Sequence, residues 1–263
     1  MPAIPLTPRR VLAALVTVAV LVPLAACGSG GSGGDGGAGE GGKTELTVLG
    51  AASLTDVFQK AGKAYEKEHP DTKVKFSFAG SQALAAQVEQ GVPADVLATA
   101  DTATMDGLKG ETGKPTVIAR NRLVIATEEG NPKHVERLED LADSKLKVVL
   151  AAPEVPVGRY GKQVLDAQKL KVEPVSEEPN VRAVLSKVEL GEADAGLVYK
   201  TDAATAPKKV DAIDIPDSQN AIASYPAATL KQSQHQKEAA AFVKWLSTPQ
   251  AQKVLRGAGF QRP

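Results

Sequence analysis

Four stretches of small and polar residues each join the end of an apolar segment to the start of a helical pattern: 50–56, 79–82, 153–159 and 179–182. Ser53 and Ser81 stand at two of these helix starts. A helix N-terminus presents free backbone N–H groups and a partial positive charge, so several converging ends could bind a small dianion without a lysine or arginine. A single serine at a helix start is more often only a cap, and Ser53 with Asp56 three residues later predicts a capping box.

The spacing of the apolar residues predicts an α/β fold. Short apolar runs alternate with segments whose apolar residues recur at helical spacing, as Leu54, Val57, Phe58 and Ala61 do. This alternation favours parallel strands with helices packed against them. The length is compatible with one sheet or with two lobes. The predicted strands lie at 46–49, 74–78, 95–98, 123–126, 148–151, 195–198 and 221–224.

The start of the chain has the pattern of a secretory signal. Two arginines precede an uncharged apolar run at 11–23, and Leu-Ala-Ala leads directly to Cys27. This segment resembles a bacterial lipoprotein box, in which the cysteine is lipidated and becomes the first residue. We therefore predict a signal peptide at 1–26 and a lipidated Cys27 with a Gly/Ser linker over 27–43. The folded part is then expected at the extracytoplasmic face of the cell membrane, anchored by the lipid.

The composition argues against several functions. The chain carries 31 basic and 31 acidic side chains, and this near-neutral balance argues against nucleic acid as a partner. Cys27 is the only cysteine, so the folded part has no disulfide. The sequence has three histidines, no Gly-x-Ser-x-Gly elbow between a predicted strand and helix, no His-Glu-x-x-His motif and no cluster of metal ligands. We therefore expect neither an enzyme nor a bound cofactor.

Six stretches follow one another along the chain: LGAASL (49–54), GSQALAAQ (80–87), GVPADV (91–96), VPVGRY (155–160), NVR (180–182) and GLVYKTDA (196–203). In this order and with this spacing they resemble the periplasmic molybdate-binding proteins of ABC importers, and the resemblance covers 44–263. It implies a two-lobed periplasmic-binding-protein fold of type II with the ligand in the interlobe cleft. Lobe one is expected at 44–125 and 212–263, and lobe two at 126–211.

In that family two serine hydroxyls, two main-chain N–H groups and a tyrosine hydroxyl hold the oxyanion. Residue by residue, the resemblance assigns these roles to Ser53, Ser81, the N–H of Val157, the N–H of Val181 and the hydroxyl of Tyr199. It implies a monomer that captures molybdate or tungstate and docks on the ABC permease, with molybdenum bound only as its oxyanion. The family more often has alanine where Val157 stands, and often a small residue in place of Gln82.

The residues by themselves leave alternatives open. An all-donor site suits a fully deprotonated dianion, and sulfate meets that description as well as molybdate does. An enzyme on the same two-lobed fold and a surface adhesion or scaffold lipoprotein are rivals of other classes. Asp56 is expected to face its own helix end. Arg159 and Arg182 are expected to point to solvent, with a role in the electric field or in closure of the lobes.

Overall fold

The computed structural model describes residues 43–263. The predicted signal peptide, Cys27 and the linker up to Gly42 lie outside the described residues. None of the helices between residues 43 and 263 has the length and apolar character that a membrane span requires.

Nine strands form within the described residues, and each of the seven predicted strands is among them. The two that were not predicted, β6 and β8, are short and rich in acidic residues, so they lack the apolar run on which the prediction rested. The strands are β1 (Thr44–Ala51), β2 (Thr72–Ala79), β3 (Val96–Ala98), β4 (Thr116–Glu128), β5 (Val148–Ala151), β6 (Ser176–Glu178), β7 (Ala195–Tyr199), β8 (Val210–Asp214) and β9 (Ile222–Thr229).

The helices of the described chain fall between these strands. In the first of them the predicted apolar face is buried, because Val57, Phe58, Ala61 and Tyr65 all point into the core. Two 3-10 turns, Ala52–Leu54 and Leu138–Ala142, complete the elements. The helices are α1 (Thr55–Glu68), α2 (Ser81–Glu89), α3 (Thr102–Gly107), α4 (Pro156–Ala167), α5 (Val181–Glu189), α6 (Lys200–Ala203), α7 (Gln236–Trp245) and α8 (Pro249–Gly257).

The strands hydrogen-bond in the order β2-β1-β3-β9-β4-β7-β5-β6, and β8 pairs with β4. The long strand β4 divides this sheet, because its residues 116–122 pair with β9 while 123–128 pair with β7 and β8. We call β2, β1, β3, β9 and the start of β4 the first half, and the end of β4 with β8, β7, β5 and β6 the second half. Helices α1–α3, α7 and α8 pack on the first half, and α4–α6 pack on the second.

The expectation of parallel strands is only partly correct. The pairs β1–β2, β1–β3, β5–β6 and β5–β7 are parallel, whereas β4 and β9 pair antiparallel with their neighbours. The difference arises because β4 carries the chain from one half to the other and β9 carries it back beside β4. Mixed sheets of this kind are common in α/β proteins.

The two-lobed α/β architecture agrees with this division of the sheet. The boundary expected at 125/126 falls inside β4, which both halves share, and the boundary expected at 211/212 falls inside β8, which lies wholly in the second half. The position of these boundaries stays a prediction.

Gly158 fixes how α4 meets the end of β5. A Cβ added at Gly158 would lie 2.1 Å from the carbonyl oxygen of Ala152 and 2.6 Å from that of Ala151. Those distances are far inside van der Waals contact, and the obstructing atoms are backbone. The third residue of α4 is therefore a glycine because the helix N-terminus approaches the strand end so closely.

We expect Gly158→Ala to lower the free energy of unfolding by about 2 kcal/mol or more, because the helix must move off the strand end to admit one methyl group. Gly257→Ala is the matched control, since nothing lies within 4 Å of a Cβ at that helical position. Chemical denaturation of both variants measures the effect. Equal stability of the two variants would contradict the assigned close approach.

Candidate functional site

One cavity brings together all five residues that the sequence assigned to a site. It is a small space whose lining includes Ser53, Ser81, Val157, Val181 and Tyr199. Ser53 and Ser81 belong to the first half of the molecule, and the other three belong to the second. The cavity therefore lies between the two halves. The remaining lining residues are Ala51, Ala52, Gly80, Ala100, Val155, Pro156 and Asn180.

Among the described residues, no carboxylate, lysine, arginine or histidine lines this cavity. Its polar side chains are the hydroxyls of Ser53, Ser81 and Tyr199 and the amide of Asn180. Among residues 43–263, moreover, no group of three or more His, Cys, Asp or Glu side chains could hold a metal ion. The cavity is thus built to offer hydrogen-bond donors without a formal charge.

Ser81 is the first residue of α2, and its hydroxyl is oriented by the backbone of another loop. The N–H of Ala100 donates to Ser81 Oγ at 3.0 Å. A hydroxyl has one proton to donate besides its acceptor lone pairs. Because the oxygen already accepts, the proton of Ser81 remains available to a group in the cavity.

Ser53 lies in the 3-10 turn Ala52–Leu54 that links β1 to α1, and it does not cap a helix. The cap position of α1 is Leu54, which makes no side-chain cap bond, and Thr55 Oγ1 instead donates to the carbonyl of Ala52 at 2.7 Å. The predicted capping box of Ser53 and Asp56 is therefore wrong. The 3-10 turn delays the start of the helix, so the three-residue spacing no longer matches a cap and its partner.

Val157 and Val181 present backbone N–H groups at the starts of α4 and α5. Pro156 is the first residue of α4 and has no N–H, so the N–H of Val157 is the first donor of that helix. In α5 the cap Asn180 accepts the N–H of Ala183 at 3.0 Å, two residues beyond Val181. The first N–H groups of a helix have no acceptor within it, so both valines can donate to the cavity.

Tyr199 is the last residue of β7, and its side chain is buried. Its hydroxyl oxygen has no hydrogen-bond partner among the described residues. Burial raises the pKa of Tyr199 well above its ordinary value, so the phenol keeps its proton at neutral pH. A buried hydroxyl without a partner is unfavourable by about 1–3 kcal/mol, and an acceptor in the cavity would remove that penalty.

Arg182 joins the two halves instead of pointing to solvent. Its Nη2 donates to Asp56 Oδ2 of α1 at 2.7 Å, and its Nε pairs with Asp202 of α6. Asp56 therefore faces an arginine of the other half, which corrects the expectation that it faces its own helix end. The reason is packing, because the start of α5 lies against the turn that precedes α1.

Arg159 makes a second bridge between the halves, so its expected exposure to solvent is also wrong. Its Nε donates to Asp101 Oδ2 at 2.8 Å, and its Nη2 donates to Thr104 Oγ1 at 2.6 Å. A third bridge comes from Gln82, whose Nε2 donates to the carbonyl of Pro179 at 2.8 Å. These side chains flank the cavity and draw the two halves together.

These acid–arginine pairs are the functional feature that sequence reasoning missed. The partners are far apart along the chain, 126 positions for Arg182 and Asp56 and 58 positions for Arg159 and Asp101. No local pattern signals such a pair. Neither arginine lines the cavity. The positive charge of each arginine is balanced by the carboxylates with which it pairs.

Asp202 is fully buried behind the site, and burial raises its pKa to about 6 although Arg182 opposes the shift. One oxygen pairs with Arg182, while the other, Oδ2, has no partner in the part of the chain that the structure describes. The carboxyl is ionised at neutral pH and takes up a proton in mildly acidic solution.

Comparison with known proteins places these observations in a family. The model of the bacterial extracellular solute-binding proteins matches residues 46–261. The molybdate-binding protein ModA of Mycobacterium tuberculosis is 37% identical over 252 residues, which cover 95% of this chain and 97% of that protein. A putative ABC transporter substrate-binding lipoprotein of Bacillus subtilis, YvgL, is 36% identical over 83% of this chain and 86% of its own.

Two solved structures share the fold. The periplasmic molybdate-binding protein of Azotobacter vinelandii has a TM-score of 0.71 at 23% identity and covers 83% of this chain and 99% of its own. The sulfate-binding protein SubI of Mycobacterium tuberculosis has a TM-score of 0.75 at 19% identity and covers 83% and 87%. Both binders of tetrahedral oxyanions have the arrangement of elements described above.

The raised pKa of Asp202 predicts a specific dependence of stability on pH. Between about pH 4 and the raised pKa of about 6, Asp202 is protonated in the folded chain and ionised in the unfolded chain. The contribution of Asp202 is therefore complete below about pH 4 and is lost as the pH rises through about 6. We expect the difference in free energy of unfolding between the native chain and Asp202→Asn to fall by up to about 3 kcal/mol across this window.

Urea unfolding of both proteins at half-unit steps from pH 4.5 to 7.5 provides the measurement. The variant is nearly isosteric and has no proton to lose at this position. Curves that stay parallel over the whole range would contradict the assignment.

Proposed function

Because the chain belongs to the bacterial extracellular solute-binding proteins, we propose that it captures molybdate, and also tungstate, for an ABC importer. The observation that carries this proposal is the uncharged cavity, in which the five donors assigned from the sequence converge from both halves of the molecule. The identity of 37% to a mycobacterial molybdate-binding protein, over nearly the whole of both chains, supports the choice of ligand.

The proposed contacts are five hydrogen bonds to one dianion. Ser53, Ser81 and Tyr199 donate hydroxyl protons, and Val157 and Val181 donate backbone N–H groups. A hydrogen bond to a charged acceptor contributes about 1.5–3 kcal/mol to binding. Five such bonds, together with the electric fields of the helix ends, exceed an association cost of at least about 4 kcal/mol. Tight binding then needs no arginine or lysine in the cavity.

The same chemistry excludes protonated anions. Molybdate is fully deprotonated at neutral pH and needs only donors, whereas phosphate keeps a proton for part of the time and needs an acceptor. The lining has no carboxylate that could accept this proton. Sulfate also lacks a proton, so only the size of the cavity separates it from molybdate, and tungstate is nearly isosteric with molybdate.

Binding and closure are one event in this proposal. The ligand donors are divided between the two halves, and the bridges of Arg159, Arg182 and Gln82 join the same halves around the cavity. An anion that enters the open cleft recruits the donors of the far side and thereby stabilises the closed form. The closed form then docks on the permease, which receives the anion when the halves separate.

We infer that the cleft performs no covalent chemistry. Its lining has no histidine, lysine or carboxylate that could act as an acid or base. The pKa of Tyr199 is raised well above its ordinary value, so its hydroxyl keeps its proton. The hydroxyl can therefore donate a hydrogen bond, but it does not act as a base. A binding role uses the polar groups of the cavity as hydrogen-bond donors. A catalytic role would need a residue that transfers a proton, and the described lining supplies none.

The proposed location is the extracytoplasmic face of the membrane. The signal pattern before Cys27 and the Gly/Ser tract after it support a lipid anchor on a long tether. The similarity to a protein named as a substrate-binding lipoprotein supports the same proposal. A monomer tethered in this way can search the membrane surface for its permease.

Calorimetric titration of the fragment 44–263 with molybdate, tungstate and sulfate tests the function. We expect tight binding of molybdate and tungstate and much weaker binding of sulfate. The double variant Ser53→Ala, Ser81→Ala should lose at least about 2 kcal/mol of binding free energy, which is about 30-fold in affinity, because two bonds to the anion disappear.

Ser233→Ala is the matched control for that variant. Ser233 is also a buried serine, but its hydroxyl donates to Asp95, which does not line the cavity. Its loss should lower stability and leave affinity within twofold of the native value. Unchanged affinity of the double variant would overturn the assignment of the serines, and tight sulfate binding would overturn the choice of ligand.

Replacement of Cys27 by serine should release the protein from the membrane, because no residue remains to carry the lipid. Expression of the full chain in a bacterium that processes lipoproteins, followed by separation of membrane from soluble fractions, measures the effect. Ser29→Ala, two positions further along, is the control and should stay with the membrane. Membrane retention of the Cys27→Ser protein would contradict the anchor.

A further inference from the structure

A chain of buried polar side chains lies behind Ser53. Ser53 Oγ is 3.0 Å from the hydroxyl of Tyr225 on β9. Asn121 of β4 donates from Nδ2 to that same hydroxyl at 3.4 Å and to Thr201 Oγ1 at 2.7 Å. All four side chains are buried, and neither Asn121 nor Tyr225 lines the cavity. Thr201 belongs to α6 of the second half, so the chain runs from the far half to a predicted ligand residue.

One backbone bond fixes the orientation of the Asn121 amide. The N–H of Arg122 donates to Asn121 Oδ1 at 3.0 Å. This bond identifies Oδ1 as the acceptor end of the amide, so Nδ2 with its two protons faces Tyr225 and Thr201. The Tyr225 oxygen accepts from Asn121, and its own proton needs an acceptor. Ser53 Oγ is its other hydrogen-bond neighbour among the described residues, so we assign the Tyr225 proton to Ser53 and the Ser53 proton to the cavity.

The ring of Tyr225 also packs against Tyr199, a second predicted ligand residue. The two ring centroids are 5.8 Å apart in an edge-on arrangement, and Phe260 also packs edge-on against the ring of Tyr225, with the centroids 5.3 Å apart. Edge-to-face aromatic contacts of this kind favour one relative orientation. The ring is thus held between Tyr199 and Phe260, and its hydroxyl is held at Ser53.

We propose that Tyr225 is a positioning residue that fixes Ser53 as a hydrogen-bond donor to the anion and thereby contributes to the rejection of protonated anions. This inference rests on the proposed function. A serine hydroxyl that is free to rotate can donate to one ligand and accept from another. With Tyr225 donating to it, Ser53 Oγ has one lone pair fewer to offer a ligand, and its proton is directed away from Tyr225 towards the anion. An ordinary core tyrosine would stabilise the fold without any effect that depends on Ser53.

A double-mutant cycle separates these two roles. Tyr225→Phe keeps the ring and removes the hydroxyl. We expect it to weaken molybdate binding fivefold to tenfold in the native chain, and by less than twofold in a chain that already carries Ser53→Ala. Calorimetric titration of the four proteins with molybdate measures the cycle. Tyr65→Phe, a buried tyrosine of α1 packed against Phe242 and Trp245, is the matched control and should change affinity by less than twofold.

Selectivity gives a second readout. In Tyr225→Phe, Ser53 can accept a proton from hydrogen phosphate, so inorganic phosphate at pH 7 should compete with molybdate several-fold better than it does in the native protein. Asn121→Leu provides an independent variant, because it leaves the Tyr225 hydroxyl in place and removes the group that fixes its direction. It should shift affinity and phosphate competition in the same direction as Tyr225→Phe.

Four outcomes decide the inference. Equal losses from Tyr225→Phe with and without Ser53 would overturn it, and so would an unchanged ratio of molybdate to phosphate affinity. Failure of the native chain to bind molybdate would overturn the proposed function as well. A loss that requires Ser53 and is accompanied by better phosphate competition would establish Tyr225 in the positioning role.

Discussion

The structure depends on one constraint, which is that the cavity between the halves must supply many donors and no charge. Within a helix, backbone N–H groups are free to donate only in the first turn, and Val157 and Val181 are placed there. Their helices must then begin at strand ends on the same side of the second half. Gly158 shows how tightly this is built, because α4 starts so close to β5 that no side chain fits between them. The strands of the second half must therefore end close to the points where these two helices begin.

Charge is kept one layer behind the cavity. Arg159 and Arg182 would attract anions of any protonation state if they reached into the cleft. Each is instead neutralised by carboxylates, Arg159 by Asp101 and Arg182 by Asp56 and Asp202. Pairing turns two potential anion ligands into bridges between the halves. Discrimination between anions is then left to the hydrogen bonds, because a donor binds a lone pair of the anion and does not bind its proton.

Much of this arrangement can be predicted from the sequence, and the reasons for success and failure are physical. Apolar periodicity located seven strands and the buried face of α1, because burial of those residues is what forms the elements. The place of Ser53 and Ser81 at strand ends predicts them as candidate site residues, whereas the roles of Val157, Val181 and Tyr199 come from the family resemblance. The residue type of a valine carries no sign that its backbone N–H donates to a ligand. The orientation of Asp56 was not predictable, because it depends on a 3-10 turn and on an arginine 126 positions away.

Under the proposed function, the hydroxyl of Tyr199, which has no hydrogen-bond partner among the described residues, gives a reason for closure to require a ligand. A buried donor without an acceptor is unfavourable by about 1–3 kcal/mol. The bridges of Arg159, Arg182 and Gln82 favour the closed arrangement, and the unpaired donor opposes them until an acceptor enters. In this proposal a dianion removes the penalty by accepting from donors on both sides at once, and the population shifts to the closed form. The donors that select the anion then also determine when the protein closes.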